Sequence, residues 1–140
     1  MKYLGLIVMS AIILAACGKY EKPFISFRSP EKRITGKIWE TTKINNSNGV
    51  TLTETETIKL EINGEDSTFV RIYNESDTII GNWKWLAALR GEWDKQRLVL
   101  LPQNGKRNVF DIRVLTNKKM ELIDRDGDTT AGNEYFFEAK

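Results

Sequence analysis

TLTETETIKLEI, residues 51–62, alternates residue types along its whole length. A period of two is the mark of a β-strand, in which successive side chains point to opposite faces. Leu52, Glu54, Glu56, Ile58, Leu60 and Ile62 share one face, while Thr51, Thr53, Thr55, Thr57, Lys59 and Glu61 share the other. Turn chemistry bounds the stretch on both sides, NNSNG at 45–49 and NGED at 63–66, where Asn and Gly suit positive φ. The segment therefore predicts one strand of an antiparallel sheet.

The same pattern extends in both directions. ITGKIWETTKI (34–44) reads as a strand before it, and STFVRIY (67–73), TIIGNWKWL (78–86), RLVLL (97–101), VFDIRVL (109–115), KMELID (119–124) and EYFFEA (134–139) read as strands after it. The connections NESD, PQNGKR and TNK are tight-turn sequences, and the stretch with most helical character, WLAALRG (85–91), is short. About eight short strands joined this way give antiparallel neighbours and an all-β barrel or sandwich. Closure into an up-and-down barrel removes the exposed edges that an open sheet of this size would carry. Such a barrel is either filled by its own side chains or holds one small ligand.

Three features bear on a site. Trp83 and Trp85 lie two apart on one face of a strand, forming either a stacking wall for a lipid, aromatic compound or sugar, or simply core. Glu54 and Glu56 share the apolar face of residues 51–62. An unbroken strand would carry both to the barrel mouth, within reach of water or a cationic ligand; pairing that ends near Thr57, or a bulge, would leave both in solvent. DRDGDTTAGNE (124–134) alternates Asp124, Asp126 and Asp128 as a calcium loop does. Its sixth and twelfth positions are Thr129 and Tyr135, not the glycine and bidentate glutamate of an EF-hand, so it reads as a hairpin loop, with a weak surface calcium site as the alternative. No metal centre or cofactor is expected.

The first residues have a different character. Lys2 is followed by an apolar run from Tyr3 to Ile13, too short for a comfortable membrane span but laid out as an export signal. Leu14-Ala15-Ala16-Cys17 then resembles the lipobox of bacterial lipoproteins. The resemblance implies cleavage before Cys17, diacylglycerol on its sulfur and an acyl chain such as palmitate on its amine, a firm anchor because each buried methylene adds about 0.8 kcal/mol. Residues 1–16 are thus expected to be a signal peptide, 17–33 a lipidated tether and 34–140 the barrel domain. Gly18, in place of the aspartate that favours inner-membrane retention in enterobacteria, points to the outer membrane of the cell envelope. In the tether, Lys19, Lys22 and Arg28 could rest against anionic headgroups or simply solvate a linker, and Phe24, Ile25 and Phe27 could plug one end of the domain.

Residues of the barrel region carry a second resemblance. Gly36 and Trp39 open the first strand, Gly81-Asn82-Trp83 sits centrally, and VFDIRVLTNKKMELID comes late. Together they resemble the small lipocalin-like lipoproteins common in Bacteroidetes, over about Ile34 to Phe137. That resemblance implies an eight-stranded up-and-down barrel, often with an apolar ligand in its mouth. Gly36-Lys37-Ile38-Trp39 is one residue longer than the Gly-x-Trp of true lipocalins, which leaves open whether Trp39 closes the barrel base.

Composition narrows the function. The 140 residues hold no histidine and one cysteine, Cys17, which excludes an internal disulfide and any Cys/His catalytic pair or zinc site. With no phosphate-cradling glycine loop either, the chain is not expected to be an enzyme. Its formal charge of +2 gives no support for nucleic-acid binding. The expected function is a membrane-anchored lipoprotein whose barrel holds a small apolar or amphipathic ligand. The alternative is a non-enzymatic envelope scaffold meeting a protein or glycan partner through its loops.

Overall fold

Eight strands form from the alternating segments: β1 (Ile38–Asn45), β2 (Ile58–Ile62), β3 (Thr68–Tyr73), β4 (Asp77–Trp85), β5 (Arg97–Pro102), β6 (Asn108–Leu115), β7 (Lys119–Asp124) and β8 (Glu134–Ala139). The computed structural model describes residues 29–52, 56–87, 95–125 and 132–140. Each strand pairs antiparallel with the next and β8 returns to β1, giving a closed up-and-down barrel. Closure pairs both would-be edges, as the tight turns require.

Alternation decides what fills the barrel. In β2, Ile58, Leu60 and Ile62 point inward while Lys59 and Glu61 point out. Trp39 and Ile44 from β1, Phe69 from β3, Trp83 from β4, Leu98 and Leu100 from β5, Met120 and Leu122 from β7 and Phe137 from β8 complete the core. Burying a side chain of this kind contributes about 1.5–3 kcal/mol, so this inner surface is the main source of stability. Two bulges keep the phase. β1 shifts register between Thr41 and Lys43, so its inward residues run Trp39, Thr41, Ile44; β6 shifts between Ile112 and Val114, so Phe110, Ile112 and Leu115 all face the core.

Among the described residues of 51–62, Ile58–Ile62 forms a strand and Thr51 an isolated bridge with Asn45, while residues 53–55 lie outside the described ones. β1 and β2 pair only over Ile38–Glu40 and Lys59–Glu61, and toward the mouth β1 stays with β8 as far as Asn45–Glu134. Side chains satisfy the donors left over: Thr41 Oγ1 accepts from the Ile58 amide at 2.8 Å, and Asn74 Oδ1 from the Thr57 amide at 2.9 Å. The end of β1 meets the stretch again at its start, where the Leu52 amide donates to Ile44 O at 2.7 Å; alternation in sequence cannot reveal where such pairing lapses.

The expected strand 34–44 is also divided. Pro30–Ile34 forms a short helix, α1, capped by Ser29 and started by Pro30, which lacks a donor the first turn could not use. Gly36, at φ 71°, then turns the chain into β1, and its amide donates to Ile62 O at 3.1 Å. α1 lies across one end of the barrel, the base. Ile34 is fully buried there, and the buried Arg33 donates to Leu115 O at 3.2 Å. The tether–barrel boundary drawn after residue 33 thus falls inside a helix that belongs to the base. Phe24, Ile25 and Phe27 lie outside the described residues.

Candidate functional site

The two ends of the barrel differ. At the base, three indoles donate hydrogen bonds: Trp39 Nε1 to Ile34 O at 2.8 Å, buried, Trp83 Nε1 to Asn63 O at 2.7 Å, half-buried, and Trp85 Nε1 to Glu31 Oε1 at 3.2 Å, at the surface. Trp39 closes the base in spite of the extra residue before it. Trp83 and Trp85 share a face, as their spacing predicts, and pack edge to face with ring centroids 5.7 Å apart. Apolar bodies packed inside and polar tips tied to α1 and the β2–β3 turn make this end a seal.

At the mouth a cavity opens between the strands, lined by Ile58, Leu60, Arg71, Tyr73, Leu100, Phe110, Leu122, Tyr135 and Phe137. Its enclosed space is about 10 Å³, room for about one water molecule; the rest of the recess is open to solvent. Neither Trp83 nor Trp85 lines it. Its aromatic wall is instead Phe110, Tyr135 and Phe137, with Tyr135 edge-on to Phe110 at 6.0 Å and nearly parallel to Phe137 at 6.3 Å.

One charged residue lines this apolar cavity. Arg71 is on the inward parity of β3, between Phe69 and Tyr73, because β3 pairs Phe69 with Gly81 and Ile62. Its guanidinium lies over the Tyr73 ring, 4.9 Å from the centroid, and Nη2 donates to Asn108 Oδ1 at a long 3.4 Å. Its Nε is buried and has no hydrogen-bond partner. Among the described residues no carboxylate lies within ion-pair distance of it.

Electrostatics at the mouth reflect the same burial. Desolvation pushes the Tyr73 phenol above its ordinary value; the Arg71 charge opposes this and Glu56 and Asp124 add to it. Tyr135 is raised in the same way, chiefly by desolvation and against a hydrogen bond from Asn133. Both phenols are therefore neutral hydrogen-bonding groups at physiological pH.

Glu56 is exposed, just before β2, and close enough to act on Tyr73. Glu54 and Cys17 lie outside the described residues, as does most of the loop 124–134. Arg71, Tyr73, Phe110, Tyr135 and Phe137 are the site residues that sequence reasoning missed. STFVRIY has apolar side chains on both parities, Phe69 and Tyr73 against Val70 and Ile72, so alternation alone could not turn Arg71 inward. An arginine within such a strand was the available signal.

Fold and cavity together define a closed eight-stranded barrel with a sealed base and an amphipathic mouth. No protein-family profile and no curated protein matches the chain.

Proposed function

We propose that this protein is a lipid-anchored binding module of the bacterial cell envelope, a lipocalin-like lipoprotein that holds a small amphipathic molecule in its barrel mouth. The observation that supports the reading is the mouth recess, small and open to solvent, lined by apolar and aromatic side chains with one inward arginine and set opposite a base sealed by its own tryptophans. Signal peptide, acylation of Cys17 and outer-membrane attachment rest on the sequence of the first seventeen residues. Trp83 and Trp85 support the site from below, and Glu56 belongs to its rim.

The scaffold reading keeps one observation in its favour, the dense filling of the base half by Trp39, Phe69, Trp83, Leu98 and Met120. Native mass spectrometry of the chain purified from its own envelope separates the two. A binding module carries a stoichiometric adduct that is released on denaturation and is missing from an Ile58→Trp variant, whose larger side chain occupies the cavity. Repeated preparations with no adduct would leave the scaffold.

A further inference from the structure

The base carries a charged rim as well as its tryptophan seal. On one side of it β1 begins, β8 ends and the β6–β7 turn closes, and hydrogen bonds gather the three. The Ala139 amide donates to Lys118 O at 2.9 Å, the Lys140 amide to Ile38 O at 2.9 Å, and Lys37 Nζ to Asn117 O at 3.0 Å. Lys37, Lys118, Lys119 and Lys140 are thereby brought together about Ile38, an outward side chain left 45% exposed. Lys32 adds an exposed cation from α1. Among the described residues Lys32, Lys118 and Lys119 hold no ion pair, and the contact of Lys140 with Glu40 is long, at 3.9 Å. Glu138, opposite Lys119, bounds the patch on the barrel wall, and Glu65 and Asp66 bound it on the β2–β3 turn. The mouth turns, by contrast, mix Glu75 and Asp77 with Lys106 and Arg107.

Position gives this patch its partner. α1 starts at the same end, and residues 18–28 are all that separate its cap, Ser29, from Cys17. At ~3.3–3.6 Å per residue a fully extended chain keeps Ser29 within about 40 Å of an anchored Cys17, so the base is the end of the barrel that the tether delivers to a bilayer. We infer that the base is a membrane-docking surface, on which Lys32, Lys37, Lys118, Lys119 and Lys140 meet anionic phospholipid headgroups and Ile38 enters the boundary between headgroups and acyl chains. An aliphatic side chain among lysines is the composition of an interfacial surface: the ammonium groups reach phosphates while their stems and the isoleucine leave water. Each lysine held near an anionic surface contributes about fivefold in affinity, and the attraction decays over a Debye length of about 8 Å, so it acts only when this face is against the lipid. Docked base-down, the barrel turns its mouth toward the aqueous side.

This inference rests on the lipid-anchor part of the proposed function, and the test separates the two. The full chain purified from its producing cells is placed in nanodiscs of phosphatidylcholine, alone or mixed equally with phosphatidylglycerol, each with a trace of gadolinium-chelated lipid, and the loss of amide signal is read by NMR. With anionic lipid, the amides of Ile38, Lys118 and Lys140 are expected to lose at least twice as much signal as Gly105 and Lys106 of the mouth. This contrast should shrink at least twofold in phosphatidylcholine alone, in high salt, and in a variant combining Lys32→Gln, Lys118→Gln and Lys119→Gln with an unchanged urea midpoint. Arginine at the same three positions should restore it, and Ile38→Ser should reduce it. A chain that stays with both kinds of disc but loses signal equally at base and mouth, or whose contrast ignores lipid charge and the glutamine variant, would overturn the docking surface and leave the anchor. A chain that leaves phosphatidylcholine discs yet shows the contrast on anionic ones would remove the anchor and keep the docking surface. Greater loss at the mouth than at the base, or association with neither disc, would overturn the docking surface outright.

Discussion

Replacing Gly81 by alanine should destabilise the barrel strongly, although glycine-to-alanine in a strand often does the opposite. An added Cβ would sit 2.2 Å from Leu101 O, 2.8 Å from Pro102 Cα and 2.9 Å from Leu101 C. All three are backbone atoms, so no side-chain rotation relieves the overlap. Moving the Cβ out to an ordinary contact of 3.4 Å or more requires β4 and β5 to separate by roughly 1 Å. The Gln103 amide, which donates to Ile80 O at 3.0 Å beside this contact, would leave hydrogen-bond range. Overpacking costs about 1–3 kcal/mol and the lost bond about 1 kcal/mol. Against this, alanine restricts the unfolded chain and returns about 0.4–1 kcal/mol. The net is a loss of about 1–3.5 kcal/mol, and with a mid-range urea m-value of about 2 kcal/mol/M the unfolding midpoint should fall by about 0.5–2 M. Urea titration followed by tryptophan fluorescence measures it directly, since Trp83 is two residues away on the same face. A midpoint that stays within 0.3 M of the parent, or rises, would show that β4 and β5 do not approach as closely as described.

Three further outcomes are expected. Trp39→Phe removes the donor to the buried Ile34 carbonyl and leaves a void beneath α1, so stability should fall by about 2–3 kcal/mol in the same urea assay, with backbone amides of α1 exchanging faster; an unchanged midpoint would contradict Trp39 as the base seal. Tyr73 and Tyr135 ionise later in the folded barrel than at the ordinary value of 10.0, so the unfolded chain loses its phenolic protons first. Their contribution is therefore fully present below pH 10 and is lost as pH rises through the folded values; absorbance titration at 295 nm should show two late tyrosines that become ordinary in denaturant, and the double phenylalanine variant should flatten the alkaline loss. Finally, a clickable palmitate analogue fed to the producing cells should label the wild-type chain and leave Cys17→Ala unlabelled and unprocessed; equal labelling of both would remove the anchor from the proposal.

Local chemistry made the barrel legible. Glycine, asparagine and proline mark the turns, alternation marks the strands, and KMELID and EYFFEA coincide residue for residue with β7 and β8. These signals are local because a turn's φ preference and a strand's two-residue period are properties of neighbouring residues. Eight such strands with short connections have few arrangements open to them, and closure is the one without edges. The pairing of Trp83 with Trp85 on one face was likewise fixed by spacing alone.

What the sequence left open depends on distant partners. Where β2 begins is decided by β1, which bulges between Thr41 and Lys43 so that the Ile58 amide meets Thr41 Oγ1 in place of a backbone partner. Which end the two tryptophans occupy is decided by α1, whose Glu31 receives the Trp85 indole across 54 residues of chain. Which face Arg71 takes is decided by the register of β3 against β2 and β4, because its strand is apolar on both parities. Sequence by itself determined the strands, their order and the closed sheet. Only tertiary packing sealed one end with tryptophan, opened the other and turned Arg71 toward it, because burial and side-chain pairing are properties of a three-dimensional neighbourhood.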